Sequence, residues 1–171
     1  MKDHFSMFAQ YNRWANERIY EATAQISDAD YRKDRGAFFG SLHGTLNHIV
    51  VADRIWMRRF TGEGPVHSRL NEIVYDDFAS LAIARRDEDE RIIFYLDTLS
   101  DGEISGTFTY TPMSTREEVT QPLGPALAHF FNHQTHHRGQ AHCLLTEIGG
   151  HDFAPPLDLI YFQRETGVGM G

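Results

Sequence analysis

Apolar residues near the start of the chain fall three and four apart. Phe8, Tyr11, Ala15, Ile19, Ala22 and Ile26 draw one stripe along a helix predicted over Asp3 to Ile26. The stretch 27–35 is polar and reads as a turn, in which Ser27 and Asp30 cap a short helical piece. A second long helix starts near Ser41 on the stripe Leu42, Leu46, Ile49, Trp56 and Phe60, and the Gly62, Gly64, Pro65 cluster stops it. Residues 61–75 read as loop. Asp76 is the expected N-cap of a third helix, whose apolar positions Phe78, Leu81, Ala82, Ile92, Leu96 and Leu99 bracket a charged patch from Arg85 to Arg91 that is expected to face solvent.

The period changes between Gly102 and Pro122. Thr107, Phe108, Thr109, Tyr110 and Thr111 are β-branched or aromatic, turn residues follow, and a second short run completes a predicted β-hairpin. A fourth long helix begins around Pro125 and runs to Ile148, where Gly149 and Gly150 end it. The apolar segment Pro155 to Phe162 is expected to pack back on the helices, and the glycine-rich end to be loose. Four long helices with one crossover and no parallel-strand signal predict an all-α four-helix bundle.

At 171 residues, 41% hydrophobic and 23% charged, the chain is expected to fold as one domain over 1–171. Its formal charge of −8 disfavours a nucleic-acid partner, since the densest basic group, Arg54, Arg58 and Arg59, is outweighed elsewhere. A single cysteine, Cys143, excludes an internal disulfide and reads as a small buried hydrophobe. The N-terminus shows no basic segment followed by an apolar run, and no stretch is apolar enough to span a bilayer, so no membrane partner and a cytoplasmic location are expected.

Ten histidines exceed what core packing uses, and their positions carry the candidate chemistry. At about 100° per residue, His133 and His137 fall on the apolar face of the fourth helix, beside Ala126, Phe130, Ala141, Leu144 and Ile148. Imidazoles in such a stripe cost free energy unless they hydrogen-bond or ligate an ion. A pair at i and i+4 converges on one ion, and His48, flanking the stripe of the second helix beside Thr45, Ala52 and Ile55, supplies a third nitrogen. Spacing alone leaves other choices open. His129 with His133, His133 with His136, and His43 also qualify, and hydrogen-bonded core histidines remain the alternative to a metal site.

Four stretches resemble the DinB-like metalloproteins: Tyr11-Asn12-Arg13-Trp14-Ala15-Asn16; His48-Ile49 with Asp53 and Trp56; His133-Gln134-Thr135-His136-His137-Arg138-Gly139-Gln140; and Pro155-Pro156-Leu157-Asp158-Leu159-Ile160. The resemblance implies that His48, His133 and His137 hold one divalent transition metal. It further implies an up-up-down-down bundle, frequently a homodimer, related to enzymes that use low-molecular-weight thiols such as bacillithiol or mycothiol.

Three imidazoles suit zinc or nickel first, with iron, copper and manganese as the other candidates, and leave positions for water or a small-molecule substrate. The expected function is metal-dependent thiol S-transfer or isomerisation with a thiol cosubstrate. A non-catalytic metal-binding stress protein is the alternative, and a metal-dependent hydrolase is weaker because no Glu follows the first histidine in an H-E-x-x-H pattern. Gln140 shares the ligand face and is a candidate partner for a bound water or a ligand ring. Asp53 is expected either to orient a histidine or to pair with an arginine such as Arg138. His129 and His136 are surface or core residues first and pocket residues second, and Trp14 and Trp56 are core residues first.

Overall fold

The structure is a computed structural model that describes residues 1–112, 115 and 117–170. It is mostly helical with one small sheet. In chain order the elements are α1 (Lys2–Thr23), α2 (Asp28–Arg32), α3 (Leu42–Thr61), α4 (Phe78–Thr98), α5 (Asp101–Ile104), β1 (Thr107–Tyr110), β2 (Val119–Pro122), α6 (Leu123–Gly149) and α7 (Leu159–Thr166). The long helix α1 packs against α4 and α6, and α3 packs against the same two. Their stripes meet in two large apolar clusters. One joins Ile19, Leu42, Leu46, Leu81 and Leu145; the other joins Met57, Ile92, Leu127 and Phe130 near the hairpin end.

Helix boundaries follow the local chemistry. Ser27 accepts from the Asp30 amide, so the predicted cap forms, and Ser41, where the second long helix is expected to start, accepts from the Gly44 amide, a bond whose loss from a helix typically costs about 1 kcal/mol. The cap of α4 is Asp77 rather than Asp76, because its side chain is the one that reaches the Ser80 amide. At the other end of α3, Gly62 adopts the left-handed conformation, φ 76°, that ends the helix.

The hairpin pairs β1 and β2 antiparallel, with Thr107 opposite Pro122 and Tyr110 opposite Val119. Part of its expected turn, Met113, Ser114 and Arg116, and the last residue of the tail, Gly171, lie outside the described residues. The closing segment packs back as expected, and it forms a helix: Phe162 of α7 joins Tyr11, Trp14 and Ala15 in a third apolar cluster. The tail is less loose than its glycines suggest, for Val168 packs on that cluster too.

One expectation fails clearly. The patch 85–91 does not face solvent as a block, since Arg85, Glu88 and Asp89 are buried and only Arg86, Asp87 and Glu90 are exposed. Leu81, Arg85, Asp89, Ile92 and Leu96 continue one inward stripe at helical spacing, so the charges occupy core positions. They are tolerated because they are paired. Arg85, 2% exposed, donates to Asp53 on α3 at 2.6 Å and to Asp89 at 3.1 Å. Asn12 and Asn16 of α1 each donate to the same Asp89 oxygen, at 3.0 and 2.9 Å. Arg138 of α6 completes the network by donating to the Asn12 side-chain oxygen and lying over the Tyr11 ring. All four long helices are thereby tied at one buried level, beside the histidines.

Candidate metal centre

His48, His133 and His137 meet where α3 packs on α6. One ring nitrogen from each lies within 4.8 Å of the other two. Ring centroids are 4.3 Å apart for His48 and His137, 4.3 Å for His133 and His137, and 5.3 Å for His48 and His133. Nitrogens bound at about 2.1 Å to one tetrahedral ion sit roughly 3.4 Å apart, so small ring rotations close the set.

Hydrogen bonds fix which nitrogens face inward. The loop after α3 brings the Leu70 carbonyl to 2.7 Å from His48 Nδ1, which therefore donates and leaves Nε2 as a lone pair. That Nε2 is buried and has no hydrogen-bond partner, in a residue only 2% exposed. A buried unpartnered acceptor costs about 1–3 kcal/mol, which ligation of a cation would offset. His137 is set the same way, its Nδ1 donating to Gln140 Oε1 at 2.8 Å. In both rings the outer N–H is held by an oxygen acceptor, the arrangement that metal-ligating histidines use to fix tautomer and orientation. Removing that acceptor should matter: Gln140→Ala is expected to weaken metal binding by about 10- to 100-fold in competition against a chromophoric chelator. An unchanged affinity would show that Gln140 does not orient the ring.

Phe39 covers the site from the other side. Its ring stacks on His48 with centroids 3.8 Å apart and meets His137 edge-on at 5.6 Å. This approach depends on Gly44, where any Cβ would collide with the Phe39 carbonyl oxygen. Burial then acts on the imidazoles. It pushes the His48 pKa down to about 4, the Leu70 hydrogen bond opposing. His133 is driven to about 3 by burial first and by the neighbouring His137 and His48 second, and burial lowers His137 as well. All three are neutral at pH 7, the form in which imidazole ligates a metal. His133 is half-buried, so the cluster meets the surface on its side.

The remaining candidates separate cleanly. His43 is a hydrogen-bonded core histidine, its Nε2 3.1 Å from the Tyr75 carbonyl and its ring against Tyr31. His136 and His129 are exposed beside the cluster, His129 with its ring 6.0 Å from that of His133. Asp53 neither orients a histidine nor pairs with Arg138; its partner is Arg85. Trp14 is a core residue, whereas Trp56 is half-buried between His129 and Tyr110. Cys143 is exposed rather than buried, because it sits one position off the inward stripe that Ala141, Leu144 and Leu145 continue. Phe39 and the Leu70 carbonyl lie in loops without periodicity and left no signal in the sequence, while Arg85 and Asp89 did, through their spacing.

No helix among the described residues is long and apolar enough to cross a membrane. Protein DinB of Bacillus subtilis (strain 168) is 22% identical over 181 residues, covering 97% of this chain and 98% of that protein. A crystal structure described as a conserved protein from Enterococcus faecalis superposes with a TM-score of 0.67 at 13% identity, over 84% of this chain and 96% of that one, and so shares the fold. The sequence profile of the DinB family matches residues 1–166, nearly the whole chain, and the protein therefore belongs to the DinB family.

Proposed function

We propose that this protein is a metal-dependent enzyme acting on a low-molecular-weight thiol, as an S-transferase or a thiol-dependent isomerase, within a single up-up-down-down four-helix bundle. The packing of α1 and α3 each against both α4 and α6 supports that topology. The carrying observation is the tri-histidine cluster, with its inward nitrogens neutral and the buried Nε2 of His48 unpartnered. A divalent ion there, zinc or nickel first, would act as a Lewis acid that lowers the pKa of a bound thiol or water. Three protein ligands leave it an open position.

The surroundings favour a thiol over water. Among the described residues no carboxylate joins the three histidines, and the buried Asp53 nearby pairs with Arg85, so the site offers no carboxylate as a base for water. Phe39 supplies an apolar wall that suits a thiol and an uncharged reacting carbon.

The test uses untagged, zinc- or nickel-loaded protein with cysteine, coenzyme A or bacillithiol and the electrophile 1-chloro-2,4-dinitrobenzene. Sulfur–carbon bond formation with loss of chloride is expected to exceed the uncatalysed rate and to disappear in His137→Ala. Equal rates in the two proteins would sink the proposal and leave a non-catalytic metal-binding stress protein as the reading, which a stable metal-replete fold without an exchangeable water would support.

A further inference from the structure

The half-buried cation Arg59 forms no ion pair and no hydrogen bond among the described residues. Its guanidinium lies over the rings of Trp56 and Tyr110, with its carbon 4.5 and 4.9 Å from their centroids, so aromatic faces hold it in place without neutralising it. Burial lowers its pKa, yet an arginine keeps its charge. A cation partly withdrawn from water without an acid beside it is costly unless an anion completes the site.

Arg59 lines a cavity of about 340 Å³ between the end of α3, the following loop and the hairpin. Arg58 contributes a second positive charge, its Nη1 donating to the Gly64 carbonyl at 2.6 Å. His67, 8% exposed, also lines the cavity; its Nδ1 is 2.8 Å from Glu72 and its buried Nε2 has no partner. The loop's acids do not cancel the arginines. Glu72 is occupied by His67, Ser68 and the Arg69 amide, and Glu63 pairs with neither arginine. Thr109, Tyr110 and Thr111 line it from the hairpin side, the Thr109 hydroxyl being paired with that of Thr120.

The cavity is in line with the histidines. Ile55, at its edge, and Arg59 are seven and eleven residues beyond His48, so at about 100° per residue both lie within about 20° of its direction, and Arg59 is roughly 16 Å along the axis. The same loop supplies Leu70 to His48 and His67 to the cavity.

We propose that this cavity is an oxyanion subsite, which takes the carboxylate or phosphate end of an elongated small molecule whose reacting end lies at the three histidines. The second clause rests on the metal-centre reading; the subsite itself does not.

The test is calorimetric titration with inorganic phosphate and, separately, succinate at constant ionic strength, alongside the Trp56 indole N–H resonance in ¹⁵N-labelled protein. Wild type is expected to bind at least one ion with a shift of that resonance. Arg59→Gln should bind at least tenfold more weakly, and Arg59→Lys should retain most of the affinity. Tighter phosphate identifies a phosphate ester as the ligand class, and tighter succinate a carboxylic acid. Absence of binding in wild type, or equal binding in folded Arg59→Gln, overturns the subsite. Should Arg59→Gln fail to fold, an indole resonance that stays fixed through both titrations of wild type overturns it instead. His137→Ala is expected to bind the ion as wild type does, and wild type that takes up no metal while still binding the anion refutes the metal centre and leaves the subsite standing.

Discussion

Replacing His48 by alanine is expected to remove stoichiometric metal from the protein while leaving the helices formed. Protein-bound zinc with four ligands is held by about 10–16 kcal/mol, so each ligand accounts for roughly 3–4 kcal/mol and its loss weakens binding by about 10²- to 10³-fold. His48 lends itself to this test because the ligand loss has a partial structural compensation: alanine also removes the unpartnered Nε2, whose burial costs the apo protein free energy. Apo His48→Ala should therefore melt close to apo wild type despite the cavity beneath Phe39, while the gain in melting temperature on adding zinc should vanish. Elemental analysis of untagged protein and paired melts with and without zinc read both effects. Because burial holds His48 at about 4 and His133 at about 3, neither ring should release a proton when metal binds at pH 7. These two rings should then add nothing to the dependence of the binding enthalpy on the buffer's ionisation heat. Stoichiometric metal in His48→Ala would refute the assignment of this residue as a ligand.

The periodic part of this molecule was legible in the chain itself. The four long helices, the hairpin and the inward face that carries His133 and His137 follow from spacing, because helices and strands repeat the direction of a side chain at fixed intervals. Spacing left His43, His129 and His136 open, however, since each is also a helical neighbour on one face or another. What separates them is tertiary: the Tyr75 carbonyl occupies His43, and solvent surrounds the other two. Residues that build the site from loops were invisible for the same reason. Phe39 reaches His48 through a turn that closes on Gly44, and Leu70 acts through its backbone oxygen, which no side-chain pattern reports.

Arg85 and Asp89 failed differently. Their spacing suits the core and their charge argues for the surface; a single helix does not show the partners that Asp53, Asn12 and Asn16 provide across the interior. Asn12, Asn16 and Arg138 belong to the motifs that carry the family resemblance. Those motifs thus encode a polar interior as well as ligands.

That interior gives the largest expected stability effect. Arg85→Met should destabilise the fold by about 3–5 kcal/mol, because it leaves Asp53 and Asp89 buried without their cation. For a domain of this size, that is a fall in melting temperature of roughly 10 °C or more. The pH dependence distinguishes an electrostatic loss from a packing loss. Burial already raises Asp53 and holds Asp89 at about 6 in spite of Arg85, which lowers both. A carboxyl whose folded pKa lies above its unfolded value of about 3.9 binds more protons when folded, so its favourable contribution is present at low pH and is lost as pH rises through the folded pKa. Without Arg85 both carboxyls move further up and fold protonated. The deficit of Arg85→Met against wild type should then be largest near pH 7.5 and narrow steadily towards pH 5, in denaturant melts at the two values. Adding Asp53→Leu and Asp89→Leu should recover much of the loss at neutral pH, since a buried ion cluster exchanged for well-packed apolar groups is often near neutral in stability. A deficit equal at both pH values would mean that Arg85 acts by filling space, and that the four helices are not joined by charge at this level.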